Sequence, residues 1–232
     1  MPKNIDAFPF LNASENQEVL TTILKLKQKW RVRNPNEDFF VLGASCYAEA
    51  QYDFDYYSTL ANYFNPTLKT EFAFLYLKLE KFLFNFTGLP VYYSESLCMP
   101  GFHILGKPAI SGVPHVDAQY RYIPEFRNIS KLDEDIVLTF TASIELPSTP
   151  SGLLIWPNFK FDGYDQQNAK DFLAYSKRNT AEKYIYKKNE IYIHHGHLLH
   201  QLLPAEADHL GTLRITFQGH CIKTEKGLLT YF

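Results

Sequence analysis

The chain has 232 residues, an apolar fraction of 46% and a formal net charge of −2. That length suits one large domain or two small ones, and the near-neutral charge gives no electrostatic ground for nucleic acid or an anionic membrane surface as partner. The aromatic share is high at 16%, which predicts a core or a pocket lined with Phe and Tyr.

Residues 1–88 read mostly as helical support. The opening "MPKNIDAFPFLNASENQ" has no basic segment followed by an apolar run, so no signal peptide is expected. Ser14 with Gln17 forms a capping-box pattern ahead of "EVLTTILKLKQKW", in which Val19, Leu20, Ile23, Leu24, Leu26 and Trp30 make an irregular apolar stripe. A further helix is expected with Asn65 as N-cap and Pro66 at the first helical position. Leu68, Phe72, Leu75, Leu79, Phe82 and Phe86 then recur at helical spacing, and Thr87-Gly88 supplies a left-handed stop.

From 89 to 232 the texture changes to short runs of Val, Ile, Thr, Phe and Tyr punctuated by Gly and Pro. Strands are expected near "VYYSES", "GFHILG", "HVDAQYRY", "DIVLTFTASIEL", "GLLIWP", "KYIYKKNEIYIH", "HQLLPA", "TLRITFQGH" and "KGLLTYF". Such a series suggests a sandwich or jelly roll, not a βαβ sheet. "DQQNAKDFLAYSKRNTAEK", residues 165–183, interrupts it as a polar, helix-prone insertion, either a lid or a solvated surface helix. Without a linker or repeat, 1–232 reads as a single domain. No window of 18 apolar residues argues for a membrane span. Cys46, Cys98 and Cys221 are widely separated, suggesting neither a disulfide framework nor a zinc finger, and a reducing, cytoplasmic location is expected. Nothing in the pattern specifies an oligomer.

Three stretches hold residues that carry chemistry. "SGVPHVDAQYRY" sets His115 and Asp117 one residue apart, which is half of a metal site or an ordinary polar strand edge. "NEIYIHHGHLLHQLLPAE" places His194, His195, His197 and His200 within seven positions, half of the chain's 8 histidines. Some of these must only pack or hydrogen-bond, and a zinc site from His194, His197 and His200 is chemically possible. In "GTLRITFQGH", Arg214 shares a strand face with Thr212 and Thr216, opposite Leu213, Ile215 and Phe217. On an exposed face it is a plain surface charge. Buried, it demands an anion and can hold a carboxylate through two parallel hydrogen bonds.

Taken in order, His-x-Asp, a distant His and an Arg on the next strand resemble the iron(II)- and 2-oxoglutarate-dependent oxygenases. The run "KNEIYIHHGHLLHQLLP" is similar to that family's acidic-apolar stretch and its Leu-His-x-apolar-x-Pro segment, with Asn189 where Gly is common. The resemblance covers roughly the last 120 residues and reaches the prolyl-hydroxylase-like branch. It implies a mainly β fold with N-terminal helices, whose core is a double-stranded β-helix (jelly roll) flanked by α-helices. His115, Asp117 and His200 would bind Fe(II), with His197 the runner-up for the third ligand. Arg214 would anchor the remote carboxylate of 2-oxoglutarate, with Tyr120 as a helper. Two imidazoles and one carboxylate take one face of an octahedral iron. The co-substrates 2-oxoglutarate and O2 then have places.

An aspartate at 117 favours hydroxylation over halogenation, since halogenating members typically lack that carboxylate. Tyr120, Arg121, Tyr122, Trp156, His103 and Gln218 are further candidates for the pocket, each also explained by packing. The implied substrate is a small molecule, an amino acid or a peptidyl side chain. The rival reading is a non-catalytic, cupin-like metal- or ligand-binding jelly roll, which has no need of Arg214.

Overall fold

The computed structural model describes residues 4–34, 38–106, 112–126, 137–161, 169–203 and 213–232. The chain is mainly β, with four α-helices among these residues. Helix α1 (Ala13–Lys25) is capped by Asn12, not by Ser14. The Asn12 side chain accepts from Glu15 N at 2.9 Å, and Glu15 Oε2 accepts from Asn12 N at 2.7 Å. Starting there puts Asn16, Val19 and Ile23 on the buried face, and Asn16 Nδ2 donates to Ile144 O at 2.9 Å.

The expected start at Asn65 and Pro66 is overturned. Helix α2 (Phe54–Glu71) begins behind Asp53, whose side chain accepts from Tyr56 N at 2.9 Å, and runs through Pro66. Pro66 removes one backbone donor, while Asn65 is engaged outside the helix, donating to Leu97 O and accepting from Met99 N, both at 2.9 Å. The break falls at Phe72, where the backbone opens to φ −122° and the buried ring packs 4.7 Å from Phe102. Helix α3 (Ala73–Thr87) then ends at Gly88 in the left-handed region, φ 73°, as the Thr87-Gly88 pair predicts.

Three strands lie within the stretch that reads as helical support: β1 (Ile5–Pro9), β2 (Arg31–Asn34) and β3 (Phe39–Leu42). Each has four or five residues, too short for its periodicity to stand out. The others are β4 (Val91–Tyr92), β5 (Gly101–Leu105), β6 (Val137–Glu145), β7 (Gly152–Trp156), β8 (Glu182–Ile185), β9 (Glu190–His195), β10 (Leu199–Leu203), β11 (Arg214–Thr224) and β12 (Gly227–Tyr231). A large sheet runs β1-β9-β6-β11-β5-β3-β2, with β12 on β11 and β4 on β12. A small sheet runs β10-β7-β8.

Strand β11 organises the large sheet, because its 11 residues pair with β6 along one edge and with β5 and then β12 along the other. Alternation sends Ile215, Phe217 and Cys221 into an apolar cluster with Ile23, Phe64, Leu68, Leu79, Phe102 and Phe140, which joins sheet to helices. The other face carries Arg214, Thr216, Gln218 and His220. By register it continues into Ser143, Thr141 and Thr139 of β6, then Tyr192 and His194 of β9. A smaller cluster of Leu153 and Ile155 with Tyr186 and Tyr192 links this face to the small sheet. A polar face enclosed between two sheets is costly unless its groups find partners. That seam is where a site is expected.

The strand expected at "HVDAQYRY" is reduced to one bridge, His115 against His200, followed by a 3₁₀ turn over Gln119–Tyr122. The helical insertion is present as α4 (Ala169–Arg178); residues 165–168 lie outside the described set. It is a surface helix with one anchored residue: Phe172 is buried with Val116, Trp156 and Leu199. No helix among the described residues is long and apolar enough to cross a membrane.

The two candidate caps of α1 make different demands. Asn12→Ala is expected to destabilise the protein by about 1 kcal/mol, while Ser14→Ala changes stability by less than about 0.5 kcal/mol. Urea titrations of both variants measure the difference.

Candidate metal centre

The site is built by two segments far apart in sequence. His115 N donates to His200 O and His200 N donates to His115 O, both at 2.9 Å, and Asp117 N donates to Gly196 O at 2.6 Å. This short antiparallel pairing fixes both backbones, so the side chains of His115, Asp117 and His200 fall on one side and Val116 and Leu199 on the other. The latter two are covered by Phe172 of α4 and by Trp156, whose Nε1 donates to Asn179 O at 3.0 Å.

One potential ligand atom from each of His115, Asp117 and His200 lies within 4.8 Å of the others. Among the described residues this is the one group of three His, Cys, Asp or Glu side chains so arranged. His115 Nε2 is 3.8 Å from Asp117 Oδ1 and His200 Nε2 is 3.6 Å from Asp117 Oδ2. The Nδ1 atoms face backbone carbonyls, Val113 O at 2.7 Å and Leu198 O at 2.9 Å. A carbonyl only accepts, so each Nδ1 carries a hydrogen, and in the neutral imidazole this tautomer turns the Nε2 lone pair toward Asp117.

Electrostatics favours the neutral ring at His200. Burial pushes the His200 imidazole down to about 3 against the pull of Asp117. Burial would raise the Asp117 carboxyl, but the surrounding imidazoles of His200, His220, His115 and His194 carry it well below its usual range. Two imidazoles and one carboxylate, their donor atoms converging, fit a divalent transition metal of the iron type.

The neighbouring histidines have other duties. His197 Nε2 pairs with Tyr120 OH at 3.1 Å and its ring packs 4.6 Å from Phe161. Burial, with His195 and Arg121 nearby, lowers its pKa to about 4. Neither His197 nor His194 belongs to the converging group, so His194, His197 and His200 are not brought together as three ligands. His194 Nδ1 faces His195 O at 2.9 Å, and His220 Nδ1 meets Thr139 Oγ1 at 3.1 Å. His103 Nε2 meets Tyr47 OH at 3.3 Å, and Gln218 Nε2 donates to Thr216 Oγ1 at 3.0 Å. The Arg121 guanidinium lies 4.8 Å over the Phe161 ring, and Tyr122 is half-buried.

Arg214 is 2% exposed, and its guanidinium lies 5.5 Å over the Tyr186 ring. Burial lowers its pKa to about 10, which leaves it charged at neutral pH. Its Nε has no hydrogen-bond partner, and neither has the buried Oγ of Ser143, which stands beside Thr216 on the next strand. Among the described residues no carboxylate forms an ion pair with Arg214. A buried cation so placed is expensive unless an anion completes it. Tyr186, Ser143, Gln119 and His220 are the site neighbours that sequence reasoning did not single out. Only the alternation of β6 and β11 could have pointed to Ser143 and His220.

No protein-family model matches the chain, and no curated protein sequence matches it. Solved structures do. An N-substituted L-amino acid dioxygenase from Burkholderia ambifaria aligns with a TM-score of 0.59 at 13% identity, over 99% of this chain and 86% of that one. That enzyme has also been solved with α-ketoglutarate. The α-ketoglutarate-dependent carbocyclase SnoK of nogalamycin biosynthesis aligns at 0.51 and 12% identity, over 94% and 81% of the two chains. HygX from Streptomyces hygroscopicus, solved with nickel, 2-oxoglutarate and hygromycin B, aligns at 0.51 and 10%, over 93% and 82%. The chain therefore has the fold of the iron/2-oxoglutarate oxygenases.

Two packing contacts support the triad from behind. A Cβ on Gly196 would stand 2.7 Å from Val137 Cγ1 and 2.8 Å from Asp117 O, so Gly196→Ala is expected to cost about 1–3 kcal/mol. Phe172→Ala empties the cluster behind Val116 and Leu199 and is expected to cost about 3–5 kcal/mol. Urea unfolding of the metal-free protein measures both.

Proposed function

We propose that the protein is an Fe(II)- and 2-oxoglutarate-dependent oxygenase that hydroxylates an aliphatic C–H bond of a small-molecule, amino-acid or peptidyl substrate. The observation that carries this reading is the pairing of two features. A His, Asp, His triad converges on one point, and a buried arginine on the same seam has no anionic partner among the described residues. A structural metal site needs the first feature but not the second. We read the two-sheet topology, with β9-β6-β11-β5 facing β8-β7-β10 and the His115 bridge, as a double-stranded β-helix.

In this reading His115, Asp117 and His200 hold the metal and Arg214 binds the distal carboxylate of 2-oxoglutarate. Iron(II) held by His115, Asp117 and His200 would supply the O2 chemistry that no side chain offers, by which a substrate C–H bond is hydroxylated while 2-oxoglutarate is oxidised to succinate and CO2. The chain's own residues bind, orient and exclude water. The carbonyls of Val113 and Leu198 keep the ligating Nε2 atoms unprotonated. The Arg214 fork meets a carboxylate through two parallel hydrogen bonds in a poorly solvated place, where such bonds are strongest. The unpartnered Ser143 Oγ is a further donor on the same face. An aspartate at 117 fills the third ligand position, which supports hydroxylation over halogenation.

Mixed anaerobically with Fe(II) and 2-oxoglutarate, the protein is expected to show a visible metal-to-ligand charge-transfer band; its absence in folded protein would sink the proposal. Arg214→Ala is expected to weaken 2-oxoglutarate binding by about thirtyfold or more, as removing one partner of a buried ion pair costs roughly 2–5 kcal/mol. Succinate release should fall with it, while Fe(II) binding alone persists. His200→Ala and chelation by EDTA should each abolish both the band and succinate release.

A further inference from the structure

Asp117 is not held by the backbone alone. Gln119, two residues on, is 5% exposed, and its Nε2 donates to Asp117 Oδ1 at 2.9 Å. The amide orientation follows from chemistry, since an ionised carboxylate only accepts and the NH2 group must face it. The other end of the amide, Gln119 Oε1, is buried without a hydrogen-bond partner. Leaving an amide oxygen unsatisfied is unfavourable, so folding stability is a poor reason for a glutamine here. The residue is nonetheless firmly placed: it opens the 3₁₀ turn Gln119–Tyr122, and its carbonyl accepts from Cys46 Sγ at 3.5 Å.

The consequence concerns the two oxygens of Asp117. Oδ1 is engaged by Gln119, whereas among the described residues no hydrogen-bond donor reaches Oδ2, which faces His200 Nε2 at 3.6 Å. A free carboxylate can bind a metal through one oxygen or both. With both, it would occupy a position that a two-point co-substrate and O2 require on a six-coordinate iron.

We infer that Gln119 is a positioning residue that ties down Asp117 Oδ1, so that the carboxylate offers the metal a single oxygen, Oδ2. This rests on the metal-binding reading of the triad. The amide does for Asp117 what the Val113 and Leu198 carbonyls do for the two imidazoles, and all three ligands are thereby oriented from outside.

The test uses Co(II) as the metal probe and the full chain, comparing wild type with Gln119→Leu and Gln119→Met, which remove the donor at similar volume. The expected result is a 10- to 100-fold loss of Co(II) affinity, with a changed intensity and position of the visible Co(II) absorption and an unchanged near-ultraviolet dichroism of the metal-free protein. Wild-type affinity and spectrum in a folded variant would overturn the inference. Failure of wild type itself to bind Co(II) would overturn the metal-site reading beneath it. The wild-type protein gives an independent check should the variants not fold: the Gln119 side-chain amide proton resonances should move on titration with Zn(II). If they stay fixed while those of His115 and His200 move, Gln119 has no part in holding the ligand.

Discussion

The pairing of His115 with His200 through two backbone hydrogen bonds of 2.9 Å is the contact on which the site depends. It joins a loop to the edge of the small sheet and sets the parity of both segments at once. A shift of one residue on either side would send a triad side chain outward and an apolar side chain inward. The apolar residues on the outward side guard against that slip. Val116 and Leu199 are buried under Phe172 and Trp156, so a changed register would have to expose them. Each apolar side chain exposed to water in this way would cost about 1.5–3 kcal/mol.

Helix α4 thereby has a structural part in the site. Its polar composition reads equally well as a lid or as an idle surface helix, and its residues are mostly exposed. What distinguishes it is Phe172, set behind the ligands rather than over them. Anchored by one aromatic side chain and by the Trp156–Asn179 hydrogen bond, it acts as a brace on the ligand segments.

Most strands after residue 89 are legible in the sequence because alternation survives in a linear chain, and the fold brings His115, Asp117 and His200 together and buries Arg214; their roles are those proposed above. The α3 stop at Gly88 and the left-handed turn at Asn189, φ 73°, were legible for the same local reason. What failed was decided by tertiary contacts. Pro66 looked like a helix start, but Asp53 caps the helix a dozen residues earlier and Asn65 is committed to the Leu97–Met99 loop. The strands β1, β2 and β3 gain their order from partners distant in sequence, and nothing in four residues announces that. Tyr120, expected as a helper for the co-substrate, has its hydroxyl paired with His197, and the ring over which Arg214 lies is that of Tyr186. A single His-x-Asp does not tell which aromatic ring the fold will deliver to a site.

Charge balance ties the two halves of the seam together. Burial lowers the pKa values of His103, His194, His200 and His220 and so favours their neutral forms. Among the described residues, the carboxylate of Asp117 and the guanidinium of Arg214 are the two opposite charges this polar face brings together. Adding a divalent cation alone makes the enclosed region doubly positive, and adding a dicarboxylate alone makes it doubly negative. Together they bring it to neutrality, the least costly state for a poorly solvated interior. Each ligand therefore improves the site for the other, and by linkage the improvement is reciprocal. On the proposed reading, a metal that strengthens 2-oxoglutarate binding is a requirement of electrostatics in this seam, over and above any direct bond between the two.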